Sequence, residues 1–184
     1  MTIKHTLPSV EYLNECFRLD ADNGVLYWKP RPMNHFNSLH EYSGWNKKFA
    51  DTIAGSSVTS SLTKCDSHYR RVRLGQKDYK LHRLIYKMYY EQEPECIDHI
   101  NGDPKDNRPT NLRSVTPHEN SKNRAISKRN TSGFFGIKKI KDFWQVRNKD
   151  TRINFKTLEE AIECKQKWNI ENGFHPNHGR KKII

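Results

Sequence analysis

Apolar positions in the first third of the chain come in short bursts separated by polar turns. Val10, Leu13 and Phe17 recur at helical spacing behind Ser9, a good capping residue, and predict a short helix. The run "DADNGVLYW" reads as an Asn-Gly turn feeding a strand over 25–28. Over 30–66 the pattern fades. Pro, Asn, Ser and Gly dominate, Trp45 and Phe49 stand isolated, and the expectation is mostly loop. Structure returns in "HYRRVRLGQKDYKLHRLIYKMYY", which predicts two short strands around Gly75 and then a helix with Leu84, Ile85 and Met88 on one face. Arg70, Arg71 and Arg73 fall in the first of these strands, so at least one is expected on either side.

Further along, "IDHINGDPKDNRPTNLRSVTPHENSKNR" predicts a strand end over 97–100, a polar loop over 101–110 and a second strand over 111–115. A helix follows, with Thr116 as N-cap, Pro117 at the first helical position and Glu119 completing a capping box. Asn120 then lies one turn into the helix, where it can face back toward the strand tips, and Asn123 follows at i+3 on the same side. The last patterned stretch predicts strands over 136–139, 143–148 and 152–155. A helix over 158–171 closes it, capped by Thr157 and Glu160 and ended by Asn172-Gly173. Leu158, Ala161, Ile162 and Trp168 line the face that can lie on the sheet. There is no internal repeat.

Composition changes this picture in two ways. Hydrophobic residues make up only 34% of the 184 positions and mean hydropathy is −1.00, which favours thin modules over one large globule. Net charge is +12 with a pI near 9.6. No fold requires that excess, and its commonest partner is nucleic acid. No window of 18 apolar residues and no signal-like start occurs, so no membrane span is expected and the cytoplasm is the default compartment. The four cysteines are scattered without a C-x-x-C pair, so neither a disulfide framework nor a zinc knuckle is indicated.

The chemistry concentrates at "IDHINGD". Cutting a phosphodiester needs a nucleophile, neutralisation of the phosphate, and help for the leaving oxygen. A neutral imidazole deprotonates water near pH 7. One hard cation on oxygen ligands holds the phosphate and stabilises the departing oxyanion. The imidazole must stay off the metal, with its tautomer set by a carbonyl or amide oxygen on the other nitrogen. Asp98, His99, Asn111 and Asn120 supply that set. Neighbours in a regular strand point to opposite faces, so Asp98 and His99 share a site only if the strand ends or twists there.

"DHINGD…NRPTNLRSVTPHENSKNR" resembles the HNH endonuclease motif in the variant whose last position is Asn, common in phage and intron-encoded homing endonucleases. The likeness runs from about His82 to Arg124, and "YKLHRLIY" matches the family's lead-in. It implies a ββα-metal fold around one divalent cation, Mg²⁺ or Mn²⁺. It also implies His99 as general base, Asp98 and Asn120 as metal ligands, and Asn111 steadying the loop and orienting the base. "NTSGFFGI", "FWQVR" and "FKTLEEAIE" are similar to the three-strand-and-helix DNA-binding domain of plant ethylene-response factors, with a shortened turn before the Trp and "INF" where a Gly usually precedes an aromatic.

The expected architecture is α+β. An accessory region (1–66) precedes an HNH ββα-metal nuclease core (67–124), a basic linker (125–132), a DNA-binding sheet-plus-helix module (133–174) and a basic tail (175–184). The expected DNA contacts are Arg124, Lys128 and Arg129 of the acid-free connector, then Lys138, Lys139, Arg147 and Arg152 with Trp144 beside them on the sheet. The partner is double-stranded DNA. No protein partner is implied, and the chain is expected to be a monomer or weak dimer, in the host cytoplasm if phage-encoded. Several alternatives stay open. Asn123 competes with Asn120 as ligand, and His82 is either a partner of the site or a core histidine. Asp103 and Asp106 are expected to structure the loop, and His175 and His178 to lie in a frayed tail. The competing functions are a DNA-binding regulator that no longer cuts and an RNA-directed protein.

Overall fold

In the computed structural model Ser9 accepts the Tyr12 N–H and opens α1 (Val10–Cys16), as its spacing predicts. The structure describes residues 6–55, 69–126, 130 and 132–179. Two units emerge: Met1–His99 with Asp103–Ser114, and Ile100–Gly102 with Val115–Ile184.

The first unit is built from α1, the hairpin β1 (Phe17–Asp20) and β2 (Val25–Trp28), α2 (Leu39–Phe49), the hairpin β3 (Arg71–Leu74) and β4 (Lys77–Lys80), and α3 (Leu81–Tyr90). β5 (Cys96–His99) pairs with β6 (Leu112–Val115), which follows a 3-10 turn at Pro109–Asn111. One core runs through it, and Leu13, Leu26, Leu84 and Ile85 are fully buried within it. Each such side chain contributes roughly 1.5–3 kcal/mol when removed from water.

Four expectations change here. Residues 39–49 form a helix where loop was expected. Ser38 caps it by accepting the Glu41 N–H. The helix has few aliphatics, and its apolar signal is the i, i+4 pair Trp45 and Phe49, whose rings lie 5.3 Å apart and pack toward Trp28. Phe17 leaves the helix face and opens β1, because its ring is held 4.5 Å from that of its strand partner Trp28. Arg70 precedes β3, so within that strand Arg71 and Arg73 share the side opposite buried Val72. Asn111 ends the 3-10 turn instead of opening β6, since Pro109 starts a tight turn two residues earlier.

The second unit contains α4 (Pro117–Ser121), the antiparallel sheet β7 (Ile137–Ile140), β8 (Phe143–Asn148) and β9 (Thr151–Phe155), and α5 (Leu158–Glu171). Both capping boxes form as the spacing predicts, Thr116 with Glu119 and Thr157 with Glu160. α5 packs on the sheet through Ala161, Leu158 and Ile162 against Ile137 and Val146. The described part of the expected frayed tail is folded back. Gly179 N–H donates to the Arg124 carbonyl, and the His178 ring meets Phe135 and Phe174 at centroid distances of 4.3 and 4.6 Å. No helix among the described residues is long and apolar enough to cross a membrane.

Candidate active site

β5 delivers Asp98 and His99 at its end, and both are buried, 7% and 5% exposed. Their side chains meet different partners. Asp98 Oδ2 accepts from Arg113 Nε at 3.1 Å and Nη2 at 2.8 Å, a cross-strand ion pair with β6. His99 packs edge-on to His82, with ring centroids 5.2 Å apart, and Tyr69 lies 4.9 Å from His82 and 5.9 Å from His99.

The His99 Nε2 lies 3.1 Å from Asn107 Oδ1 in a buried contact. Asn107 Nδ2 donates to the Lys105 carbonyl, which can only accept, so the amide presents its oxygen to the ring. An oxygen there requires the proton on Nε2 and puts the imidazole lone pair on Nδ1. Burial pushes the His99 pKa down, opposed by the Asn107 hydrogen bond and by the charges of Asp98, Asp103 and Asp106. The ring is therefore neutral at physiological pH. His82 is driven further, to about 3, by its own burial and then by His99, Lys80 and Arg83. It is a neutral packing partner of the His99 ring.

The loop that carries Asn107 is self-bracing. Lys105 N–H donates to Asp103 Oδ1 at 2.9 Å, Arg108 forks onto Asp106, and Asn111 Nδ2 donates to the Asp106 carbonyl at 2.8 Å. Asp103 and Asp106 thus structure the loop as expected, and Asn111 steadies it. The oxygen on the His99 ring comes from Asn107. Sequence reasoning missed both Asn107 and Arg113. The "DNRP" run hid Asn107 among turn-forming residues, and Arg113 reads as one more basic residue of a basic chain.

In the second unit Asn120 is exposed on α4, and Asn123, just past the helix, is buried. Among the described residues no three His, Cys, Asp or Glu side chains gather as a metal-binding group. Arg124 is exposed, whereas Lys128 and Arg129 lie outside the described residues.

The sheet splits the expected DNA-contacting residues. Cross-strand partners share a face, and the pairs Lys138 with Gln145 and Arg147 with Arg152 occupy the side away from α5. Lys139 pairs with Trp144 on the opposite side, where Trp144 packs against the core beneath α5 and Lys139 Nζ sits 5.5 Å from its ring centroid. Trp144 therefore does not stand beside Lys138, Arg147 and Arg152. The aromatic residue on their face is Phe143, partner of Ile140. Behind the sheet, buried Lys165 donates to the Arg147 carbonyl and to Asn148 Oδ1, tying α5 to β8.

Neither the curated proteins nor the solved structures contain a match to this chain. Residues 79–122, from the second strand of the β3–β4 hairpin to the residue after α4, match the family model for HNH endonuclease, and the chain thus carries an HNH endonuclease domain.

Proposed function

We propose that this protein is a metal-dependent DNA endonuclease of the phage homing type, hydrolysing phosphodiester bonds at a specific site in double-stranded DNA. The observation that carries the reading is the buried His99 ring with its proton assigned to Nε2 by Asn107. In this reading His99 takes a proton from the attacking water at Nδ1. Asn111 holds the loop from which Asn107 reaches the ring. Asp98 and Asn120 offer a carboxylate and an amide oxygen, a hard donor set that fits Mg²⁺ or Mn²⁺ completed by water or phosphate oxygens. When bound, such a cation supplies charge stabilisation to the phosphate and the leaving oxygen. Exposure of Asn120 on α4, against burial of Asn123, favours Asn120 as the ligand.

The outer sheet face with Lys138, Arg147 and Arg152, together with Arg124, Lys128 and Arg129 of the connector, engages the DNA backbone and groove. A single site of this kind cuts one strand, so a monomer nicks.

One observation favours a second reading, a regulator that binds DNA without cutting it. The Arg113 guanidinium holds Asp98 Oδ2 at 2.8 Å, where a cation would also bind. Incubating the purified chain with supercoiled plasmid separates the two readings. Mg²⁺-dependent relaxation that disappears in His99→Ala supports the nuclease. Binding with no nicking at any Mg²⁺ or Mn²⁺ concentration supports the regulator.

A further inference from the structure

Away from Asp98 and His99, the first unit contains a cavity of about 590 Å³. That volume lies within the roughly 300–1,000 Å³ of small-ligand pockets. Trp28, Phe36, Trp45 and Phe49 contribute rings to its wall, with centroids 5.0, 5.7 and 5.3 Å from Trp45 to the other three. Arg31, Arg71 and Arg73 contribute cations, and among the described residues no aspartate or glutamate lines the space.

Two of these arginines are in unusual circumstances. Arg31 is only 8% exposed, and its guanidinium carbon lies 4.9 Å from the ring centroids of both Phe36 and Trp45. Its guanidinium donates to an imidazole nitrogen and a hydroxyl, Nε to His35 Nδ1 and Nη2 to the Tyr12 oxygen, each at 3.2 Å. The nearest acid in that network, Glu15, is one ring removed, on His35 Nε2 at 2.7 Å. The Arg71 Nε–H is buried with no hydrogen-bond partner among the described residues. Sequestering guanidinium groups without a carboxylate is costly, and an anion entering the cavity would offset that cost. The surrounding rings make a planar, stackable group the natural companion of that anion.

We propose that this cavity holds one unstacked nucleotide of a DNA strand, its base among the rings of Phe36, Trp45 and Phe49 and its phosphate facing Arg31 and Arg71, with Arg73 adding charge at the wall. Aromatic side chains interleaved with arginine hold single-stranded nucleic acid in this way, because every base has a π-face and every nucleotide an anion. Extruding a base from a duplex requires a pocket of this kind to receive it. The inference rests on the endonuclease reading only for its choice of DNA as the source of the nucleotide.

The test is tryptophan fluorescence of the full chain in EDTA, titrated with a short oligothymidylate, an abasic strand of equal length, thymidine monophosphate and inorganic phosphate. We expect the oligothymidylate to quench and to bind about tenfold more tightly than the abasic strand, the scale of one stacked base. Trp45→Leu should remove that preference, and Arg71→Gln and Arg73→Gln should each weaken the oligothymidylate several-fold. Arg73 is exposed, so its variant keeps the test independent of folding. Equal binding of the abasic strand or of phosphate would make this an anion site and overturn the proposal. So would monophosphate binding as tight as the strand, or wild-type binding by both arginine variants. Plasmid nicking with Mg²⁺ is run in parallel. Nicking without a base preference refutes the cavity alone, and a base preference without nicking refutes the nuclease reading alone.

Discussion

Gly24, in the turn between β1 and β2, sits against the backbone of Asn107: a Cβ at position 24 would stand 2.5 Å from the Asn107 carbonyl carbon. Gly24 also has φ +63°, a conformation that L side chains rarely adopt. The N-terminal hairpin therefore sets the position of the loop whose amide fixes the His99 tautomer. Gly24→Ala should destabilise the fold by about 1–3 kcal/mol. At a temperature where the variant is still folded, nicking should slow while DNA affinity holds. A variant that nicks at the wild-type rate would mean that the hairpin does not position Asn107.

Asn107→Leu keeps the side-chain bulk and removes the oxygen on His99 Nε2. The ring then loses its preference for the tautomer with a lone pair on Nδ1. Single-turnover nicking should fall by about a hundredfold, the lower end of what a positioned base contributes. DNA binding in EDTA should be unchanged. His99→Ala should fall at least as far, and the double variant should be no worse than His99→Ala alone, because both changes act on one proton transfer. Additive losses would assign Asn107 a separate role.

Acid should weaken the first unit through His82. Burial holds this ring at about 3 in the fold, while the unfolded chain takes up its proton near 6.5. Below 6.5 the unfolded state binds more protons, so stability falls with falling pH until the folded value is reached. The slope for one such group is about 1.4 kcal/mol per pH unit. Urea denaturation at pH 7 and pH 5 measures it directly. His82→Phe should remove much of the difference between the two pH values. An unchanged difference would place the acid sensitivity elsewhere, with His99 the next group to test, since burial lowers it as well.

The two faces of the β7–β8–β9 sheet should differ in their salt response. Replacing Lys138, Arg147 and Arg152 with Gln should flatten the dependence of log affinity on log salt by about 0.9 for each phosphate no longer neutralised. Lys139→Gln, on the α5 side, should change the slope less. Trp144→Ala should act on stability instead, lowering the melting temperature of the second unit by opening the core beneath α5. If the outer-face variants keep the wild-type slope, the DNA runs along another surface.

Local signals made much of this legible. Ser9, Thr116 and Thr157 each cap the helix that their spacing announces, and both Glu partners close their boxes. Strands 25–28 and 143–148 have the bounds that alternation and Asn-Gly turns suggest. α2 escaped because its apolar content is aromatic and sparse. Its helical face exists only where Trp45 finds Trp28 and Phe36 to pack against. At the site, the Asp-His pair and the Asn-rich loop were visible as types of chemistry. The choice among several asparagines was not, because Asn107 and Asn111 are equally good turn residues by local preference.

Order and spacing along the chain determined the kind of elements, the capped helices and the acid, imidazole and amides available for phosphodiester chemistry. These follow from backbone preferences and side-chain types within a few residues. Only the tertiary structure decided that Asn107 meets His99, that Arg113 grips Asp98, and that Trp144 turns inward while Lys138 and the arginines of its sheet turn out. Those outcomes depend on register, burial and pairing between residues far apart in sequence, which local pattern does not contain.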